Sequence, residues 1–253
     1  MSKESLLRYF IEFSYNGLSY HGWQNQPNAI SVQEVIEKAL STLLRDSIIV
    51  LGAGRTDTGV HAKQMYAHFD TQVTFDFQEL IFRLNAFLPN DIAINNIIKV
   101  KPDAHARFDA LERTYEYWMV TKKSPFLFHS AHCVLHSLDI DGMNKAAAAL
   151  MEYKNFKSFS KSNTDVKTYL CDVREAFWSG DGKKWVFKIS ADRFLRNMVR
   201  AIVGTLLKVG THKINPEEIR TIIDSKDRSK AGASVPAKGL YLTKVTYPET
   251  IFE

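Results

Sequence analysis

The sequence is poor in cysteine and has no long apolar segment. Its two cysteines, Cys133 and Cys171, lie far apart among 253 residues, which argues against a disulfide framework and is typical of a reducing compartment. No apolar run approaches the roughly 20 residues needed to span a bilayer. Arg8 and Glu12 interrupt the first 15 residues, unlike a secretion signal. We therefore expect a cytoplasmic protein that does not enter a membrane.

The charge balance is modestly basic. The 33 lysines and arginines outnumber the 28 aspartates and glutamates, and the formal net charge is +5. Such an excess favours a polyanionic partner, although a basic surface without a nucleic acid partner has the same composition. The length is sufficient for one large domain or two small ones.

The first half of the chain predicts the order β-α-β-β-α-β. Strands are expected at residues 8–15, 48–51, 64–70 and 92–100, and helices at 31–44 and 76–87. Ser31 and Glu34 form a capping-box pattern at the start of the first helix. This order is that of the ferredoxin-like arrangement.

The second half predicts a similar order. Strands are expected at residues 113–121, 169–178, 185–191 and 240–247, and helices at 139–151, 194–209 and 216–224, with Gly210 as a stop signal. The sequence thus predicts an α+β fold with two ferredoxin-like (RRM-like) halves, residues 1–105 and 106–253. We expect their antiparallel sheets to join into one larger sheet, with an active-site cleft between the halves.

One glycine-rich loop contains candidate catalytic residues. In GAGRTDTGVHA, residues 52–62, Arg55 and Asp57 are two positions apart and would point the same way on an extended stretch. An ionised aspartate in a pocket can act as a base or as a nucleophile. The alternative is a turn-capping aspartate beside an arginine in an ordinary salt bridge. The spacing fits neither a phosphate-binding loop nor a dinucleotide fingerprint.

The loop and six further segments resemble the TruA-type tRNA pseudouridine synthases. In the family's order, the further segments are YNGLSYHGWQ (15–24), SVQEVIEKAL (31–40), NAFLPNDIAI (85–94), HARFDALERTYEYWM (105–119), FLRNMVRAIVGTLLKVG (194–210) and GLYLTKVTYP (239–248). Asn16 stands where an aspartate is usual in the family. The resemblance covers nearly the full length of the chain.

The resemblance implies that the protein isomerises uridine to pseudouridine in the tRNA anticodon stem-loop, at positions 38 to 40, as a homodimer and without a cofactor. Asp57 matches the family's essential aspartate and Tyr115 the tyrosine that packs against the target base. Arg200 matches the arginine that pairs with the aspartate. Arg55 would bind a phosphate near the flipped nucleotide or help to move that nucleotide out. Judged by residue type alone, Tyr117 is an equal candidate to Tyr115, and either is also typical of a half-buried strand.

Several other cations are weaker candidates for contact with the tRNA backbone. Arg193 and Arg196 are spaced to share a helical face with Arg200, although a solvated basic stripe has the same pattern. The remaining candidates are Arg107, Arg113 and Lys63.

Three other interpretations are less well supported. His129, His132, Cys133 and His136 have spacings that a metal could use, but they lack a second well-formed pair, and we expect no metal site. A non-catalytic RNA-binding protein with two RRM-like halves would be expected to show the RRM aromatic signature, which is absent. A hydrolase with an aspartate nucleophile would need a second carboxylate, and none stands at a recognisable position.

Overall fold

The computed structural model describes residues 6–161 and 166–253. In this part of the chain the protein has an α+β fold, with five α-helices and nine strands. It divides into two compact units, Met1–Leu111 with Leu242–Glu253, and Glu112–Tyr241. The sequence-based boundary lies at residues 105/106, six residues before this division, and it assigns the C-terminal strand to the second half. None of the helices in the described ranges has the length and apolar character needed to cross a membrane.

The first unit contains an antiparallel sheet with β1 (Leu7–Tyr15) at its centre. β1 pairs with β3 (His61–Thr71) on one side and with β4 (Ile92–Val100) on the other. The short β2 (Leu51–Gly52) also pairs with β3, and β9 (Leu240–Thr246) belongs to this unit from Leu242 onward. Phe10, Phe13 and Phe69 are fully buried in this core, because apolar side chains on the inward face gain most from leaving water.

Both helices of the first unit begin where the sequence predicts. α1 (Val32–Leu44) is capped by Ser31, whose hydroxyl accepts a hydrogen bond from the Glu34 amide at 3.1 Å. α2 (Phe77–Phe87) is capped by Asp76, which accepts one from the Glu79 amide at 2.8 Å. Each cap satisfies an amide that the helix leaves unpaired, so these start signals are local and the prediction is confirmed.

The predicted strand at residues 48–51 is wrong, since the strand is Leu51–Gly52. Ile48 and Val50 are buried, but their amides donate to side chains of α1 rather than to a neighbouring strand. The Ile48 amide bonds to the Ser41 hydroxyl at 3.0 Å and the Val50 amide to a Glu37 carboxylate oxygen at 2.9 Å. Ile48 and Val50 are therefore tied to the helix, and only Leu51 of this run joins the sheet.

The second unit is built around β8 (Lys184–Ala191), which pairs antiparallel with β5 (Glu112–Val120) and β7 (Val173–Gly180). An unpredicted two-residue strand, β6 (His132–Cys133), pairs parallel with β5. The Asp181 carboxylate accepts the amides of Lys183 and Lys184 in the predicted turn between β7 and β8. The helices are α3 (Ile140–Ala149), α4 (Met198–Gly210) and α5 (Glu218–Asp224).

The start of α4 corrects the predicted helix at residues 194–209. Asn197 precedes the helix with φ of 67°, a left-handed conformation that an α-helix cannot contain, so residues 194–197 lie outside it. Gly210 is the last helical residue rather than the residue after the helix, and a Cβ there would lie 2.4 Å from the Met143 sulfur. A side chain at position 210 would therefore have to displace the Met143 side chain of α3. β7 and α5 likewise begin later than predicted, at Val173 and Glu218.

Candidate active site

Asp57 lies in the loop between β2 and β3 of the first unit. Asp57 is half-buried, whereas the preceding Thr56 is buried. The Asp57 carbonyl accepts a hydrogen bond from the Val60 amide at 3.1 Å, and this bond closes a turn in which Gly59 has φ of 76°. The loop thus presents a partly shielded carboxylate at the end of a short strand, an environment suited to a base or a nucleophile.

The segment 15–24 packs against this loop through several hydrogen bonds. The Tyr15 hydroxyl lies 2.8 Å from the Thr56 hydroxyl, and the Trp23 amide donates to the Thr56 carbonyl at 3.2 Å. The Gly59 amide donates to the Tyr20 carbonyl at 3.3 Å. These contacts hold both sides of the Asp57 loop. Sequence reasoning did not single out Tyr15 or Thr56, although both stand in segments that carry the family resemblance.

Asn16, the departure from the family pattern, caps a short 3₁₀ turn at Gly17–Ser19. Its side-chain oxygen accepts a hydrogen bond from the Leu18 amide at 3.1 Å, a bond that a carboxylate can also accept. The backbone amide of Asn16 donates to the backbone carbonyl of Asp91 at 2.8 Å, and the Tyr20 hydroxyl donates to the Asp91 carboxylate at 2.5 Å. The segment beside the Asp57 loop is therefore held in place with asparagine at this position.

Arg55 and Asp57 differ in their surroundings. Arg55 is exposed and Asp57 is half-buried, and among the residues that the structure describes no ion pair joins the two. An exposed guanidinium at the rim of the loop is a suitable donor to a phosphate.

The structure separates the two tyrosines of β5, which the sequence could not. Tyr117 is fully buried, and its hydroxyl donates to the Pro236 carbonyl at 3.0 Å. Burial raises the pKa of Tyr117 above its ordinary value, with the Arg200 charge opposing this rise. Tyr115 is half-buried, and the edge of its ring meets Phe194 at 5.2 Å between ring centroids. Tyr117 therefore belongs to the core, and only Tyr115 keeps an accessible ring.

Arg200 lies in the first turn of α4 and is half-buried. Its Nε donates to the Val235 carbonyl at 2.8 Å, and its own carbonyl accepts the Val235 amide at 3.2 Å. These two bonds fix the direction of the guanidinium within the second unit. The positive end of the helix dipole lies at the same helix terminus, so the local potential favours an anion.

The predicted helical face shared by Arg193, Arg196 and Arg200 is wrong. Arg193 and Arg196 precede α4, because the helix begins only at Met198. Arg196 is exposed and its carbonyl accepts the Lys161 amide at 3.0 Å. Arg193 is half-buried.

The other predicted cations also differ in exposure. Arg113 is half-buried and donates to the Asp192 carbonyl at 2.8 Å. Arg107 and Lys63 are exposed, with the Arg107 guanidinium 5.6 Å from the centre of the Phe108 ring. Lys63, Arg107 and Arg196 are thus the members of this set with the access that phosphate contact requires.

The histidine-rich segment contributes to β6 and its flanks. His132 is half-buried and Cys133 is exposed, while burial and, to a lesser degree, the Lys238 charge lower the pKa of His132. Within the described ranges, no three His, Cys, Asp or Glu side chains are grouped as metal ligands.

Comparison with known proteins gives a consistent result. The family profile described as tRNA pseudouridine synthase matches residues 146–248. A tRNA pseudouridine synthase A of Bacteroides thetaiotaomicron is 54% identical over 248 residues, 97% of this chain and 92% of that protein. The Parabacteroides distasonis protein of the same name is 52% identical, covering 97% of this chain and 98% of the relative. That of Clostridium acetobutylicum is 39% identical, covering 94% and 98%. Such identity over nearly the full length shows that the chain belongs to the tRNA pseudouridine synthase A family.

Proposed function

We propose that this tRNA pseudouridine synthase, an isomerase that converts uridine to pseudouridine, acts in the anticodon stem-loop, at positions 38 to 40, with Asp57 as the catalytic residue. The observation that carries the proposal is the half-buried Asp57, presented by a loop held on both sides, in a chain of this family. The position in the anticodon arm rests on the family resemblance.

The reaction breaks the bond between N1 of the base and C1′ of the sugar, turns the base, and forms a bond between C5 and C1′. The C5 hydrogen leaves as a proton and N1 gains one, so product and substrate have the same composition and no oxidant or reductant takes part. Asp57 serves either by attacking C1′ or C6 or by abstracting a proton. Each of these routes requires an ionised carboxylate in a site shielded from bulk water.

The target base must leave the RNA stack before a side chain can reach it, at a cost of a few kcal/mol. We assign Tyr115 to packing against the flipped base, because its half-buried ring keeps an accessible surface. Stacking of this kind contributes roughly 1–3 kcal/mol per base. Arg200 would pair with the Asp57 carboxylate, as the family resemblance implies, and the exposed Arg55 would bind a phosphate near the flipped nucleotide.

The proposal also includes the finer features implied by the resemblance. These are ferredoxin-like folding of the halves 1–105 and 106–253, a joined sheet with the active-site cleft, a homodimer that binds tRNA, and a cytoplasmic location. The β-α-β-β-α-β order of β1, α1, β2, β3, α2 and β4 supports the ferredoxin-like form of the first half.

Release of tritium from uridine labelled at C5 tests the proposed activity. We expect release by the wild-type protein and none by Asp57→Asn, with tRNA affinity retained within about tenfold. Asp103→Asn removes an exposed carboxylate in the same unit and should keep full activity. Release by Asp57→Asn would refute the assignment. tRNA binding without release by the wild type would instead favour the non-catalytic RNA-binding protein.

The choice of position is tested with tRNAs that carry uridine at only one of positions 38, 39 and 40. We expect label to be released from each of the three and not from a tRNA with cytidine at all of them. Release from the cytidine-substituted tRNA would contradict the assignment to the anticodon arm.

A further inference from the structure

A buried hydrogen bond joins β1 to the loop that carries Asp57. Tyr15 is the last residue of β1, and only 4% of its surface is exposed. Its hydroxyl lies 2.8 Å from the hydroxyl of Thr56, which is also buried, and either oxygen can donate. The Tyr15 ring stacks on Phe13 at 6.1 Å between centroids, so the hydroxyl is presented from a side chain that is itself held by the core.

The peptide unit between Thr56 and Asp57 is held at a second point. Its carbonyl oxygen, that of Thr56, accepts the Trp23 amide at 3.2 Å. Because a peptide unit is planar, fixing this carbonyl and the Thr56 side chain also fixes the direction of the bond from nitrogen to Cα of Asp57. Trp23 in turn stacks on Phe13 at 5.3 Å, which ties it to the same core.

The chain that follows Asp57 is also held. The Asp57 carbonyl accepts the Val60 amide at 3.1 Å, and the Gly59 amide donates to the Tyr20 carbonyl at 3.3 Å. Both peptide units that flank the Asp57 Cα are therefore constrained. The remaining freedom of the carboxylate is confined to its own side-chain torsions.

We propose that Tyr15 and Thr56 are positioning residues for Asp57: their hydroxyl–hydroxyl bond orients the loop so that the carboxylate meets the reacting atom. This inference rests on the proposed function, and it assigns a role to two residues that do not themselves react. Loss of the bond lets the loop shift, and a displacement of about 1 Å at a reacting group costs on the order of 100-fold in rate.

The expected effect is on the chemical step rather than on tRNA binding. Tyr15→Phe and Thr56→Val each remove one hydroxyl and should lower kcat about tenfold or more, with KM within about twofold of wild type. Thr56→Ser keeps the hydroxyl and should retain kcat within about threefold. The kcat of the double variant should be no more than about twofold below that of the less active single variant, since both substitutions remove the same bond.

Tyr247→Phe is the matched control. It removes a tyrosine hydroxyl that donates to the Ala106 carbonyl at 2.6 Å in the same unit. A purely structural role for Tyr15 would give Tyr15→Phe and Tyr247→Phe the same profile, a lower Tm with unchanged kcat. Single-turnover tritium release at saturating tRNA, measured well below each Tm, separates the two roles.

The outcomes are distinct from those that test the proposed function. No release by the wild type overturns the function and with it this inference. An active wild type with kcat unchanged in Tyr15→Phe and Thr56→Val overturns the inference alone. A kcat of Thr56→Ser as low as that of Thr56→Val also overturns the inference alone, because the loss of activity then does not depend on the hydroxyl. If Tyr15→Phe fails to fold, the comparison of Thr56→Val with Thr56→Ser decides the question.

Discussion

Gly22 lies directly against the carbonyl oxygen of Thr56, and a Cβ at position 22 would stand 2.4 Å from that oxygen. The φ of Gly22 is +90°, a conformation that residues with a Cβ rarely adopt. The segment that packs on the Asp57 loop therefore depends on the absence of a side chain at this position.

Gly22→Ala should consequently displace the Asp57 loop. We expect the free energy of unfolding to fall by about 1–3 kcal/mol and kcat/KM by at least about tenfold, because the strain and the close contact act together. Gly54→Ala is the control for stability, since a Cβ there would meet nothing within 4 Å. Thermal unfolding and tritium release measure the two effects. Equal stability of the two variants would contradict the prediction.

The two tyrosines of β5 should respond oppositely to substitution. Tyr117→Phe leaves the Pro236 carbonyl without its donor, and we expect a loss of about 1–2 kcal/mol in stability with kcat nearly unchanged. Tyr115→Ala should keep most of the stability but lower kcat/KM at least about tenfold, whereas Tyr115→Phe should retain most of the activity because the ring remains. An inactive Tyr117→Phe with normal Tm would reverse these assignments.

His68 is a buried histidine that the proposed mechanism does not use. Its Nδ1 accepts the Ala106 amide at 3.2 Å, which requires the neutral ring. Burial is the main cause that lowers the pKa of His68 to about 4. Neighbouring charged groups act in both directions, with His105 and Arg8 lowering this pKa and Asp70 and Asp109 raising it.

Acid should therefore begin to destabilise the protein at pH values higher than those at which carboxylates titrate. The pKa of His68 is 6.5 in the unfolded chain and about 4 in the folded protein, so between these values the unfolded state binds more protons. This contribution to stability is fully present well above pH 6.5 and falls by about 3 kcal/mol as the pH drops to 4. His68→Asn keeps an acceptor for the Ala106 amide and should flatten this slope, as followed by urea unfolding. An unchanged slope would exclude His68 as its cause.

The two cysteines should differ sharply in reactivity. Cys133 is exposed, whereas Cys171 is buried and its pKa is raised to about 12, mainly by burial. At pH 8 a thiol reagent should therefore label Cys133 rapidly, and Cys133→Ser should abolish this fast reaction. Cys171 should react only on unfolding. Rapid labelling of both thiols in the native protein would contradict the buried position of Cys171.

Binding of tRNA should weaken steeply as salt is raised, because each phosphate contact releases condensed counterions. Among the predicted backbone contacts, Lys63, Arg107 and Arg196 are exposed. Alanine at a position that contacts phosphate should reduce the slope of log K against log salt by about 1. Lys226→Ala, at an exposed lysine outside this set, should leave the slope unchanged. A flat salt response of the wild type would argue against a basic binding surface.

Local signals in the sequence predicted the helices of the first unit well. Ser31 and Asp76 each cap a helix through a bond to an amide three residues ahead, so the signal and the structure it specifies lie within one turn. The start of α4 was not predictable in this way. The apolar spacing of α4 extends back to Phe194, but Asn197 adopts a left-handed conformation that the spacing does not reveal.

The run at residues 48–51 shows the same limit for strands. Its apolar residues predict burial, and Ile48 and Val50 are indeed buried. Whether a buried run joins a sheet depends on where its amides find partners, and here the partners are the distant side chains of Ser41 and Glu37.

The sequence by itself determined the family, the candidate role of Asp57 and the caps of α1 and α2, because these depend on residue identity and on contacts within a few positions. Only the tertiary structure decided that Tyr117 belongs to the core while Tyr115 keeps an accessible ring, and that Tyr15 meets Thr56 across 41 positions. Side chains with equivalent local sequence are distinguished by what packs on them. That packing comes from segments distant in sequence, and a short motif carries no information about which distant segments will contact it.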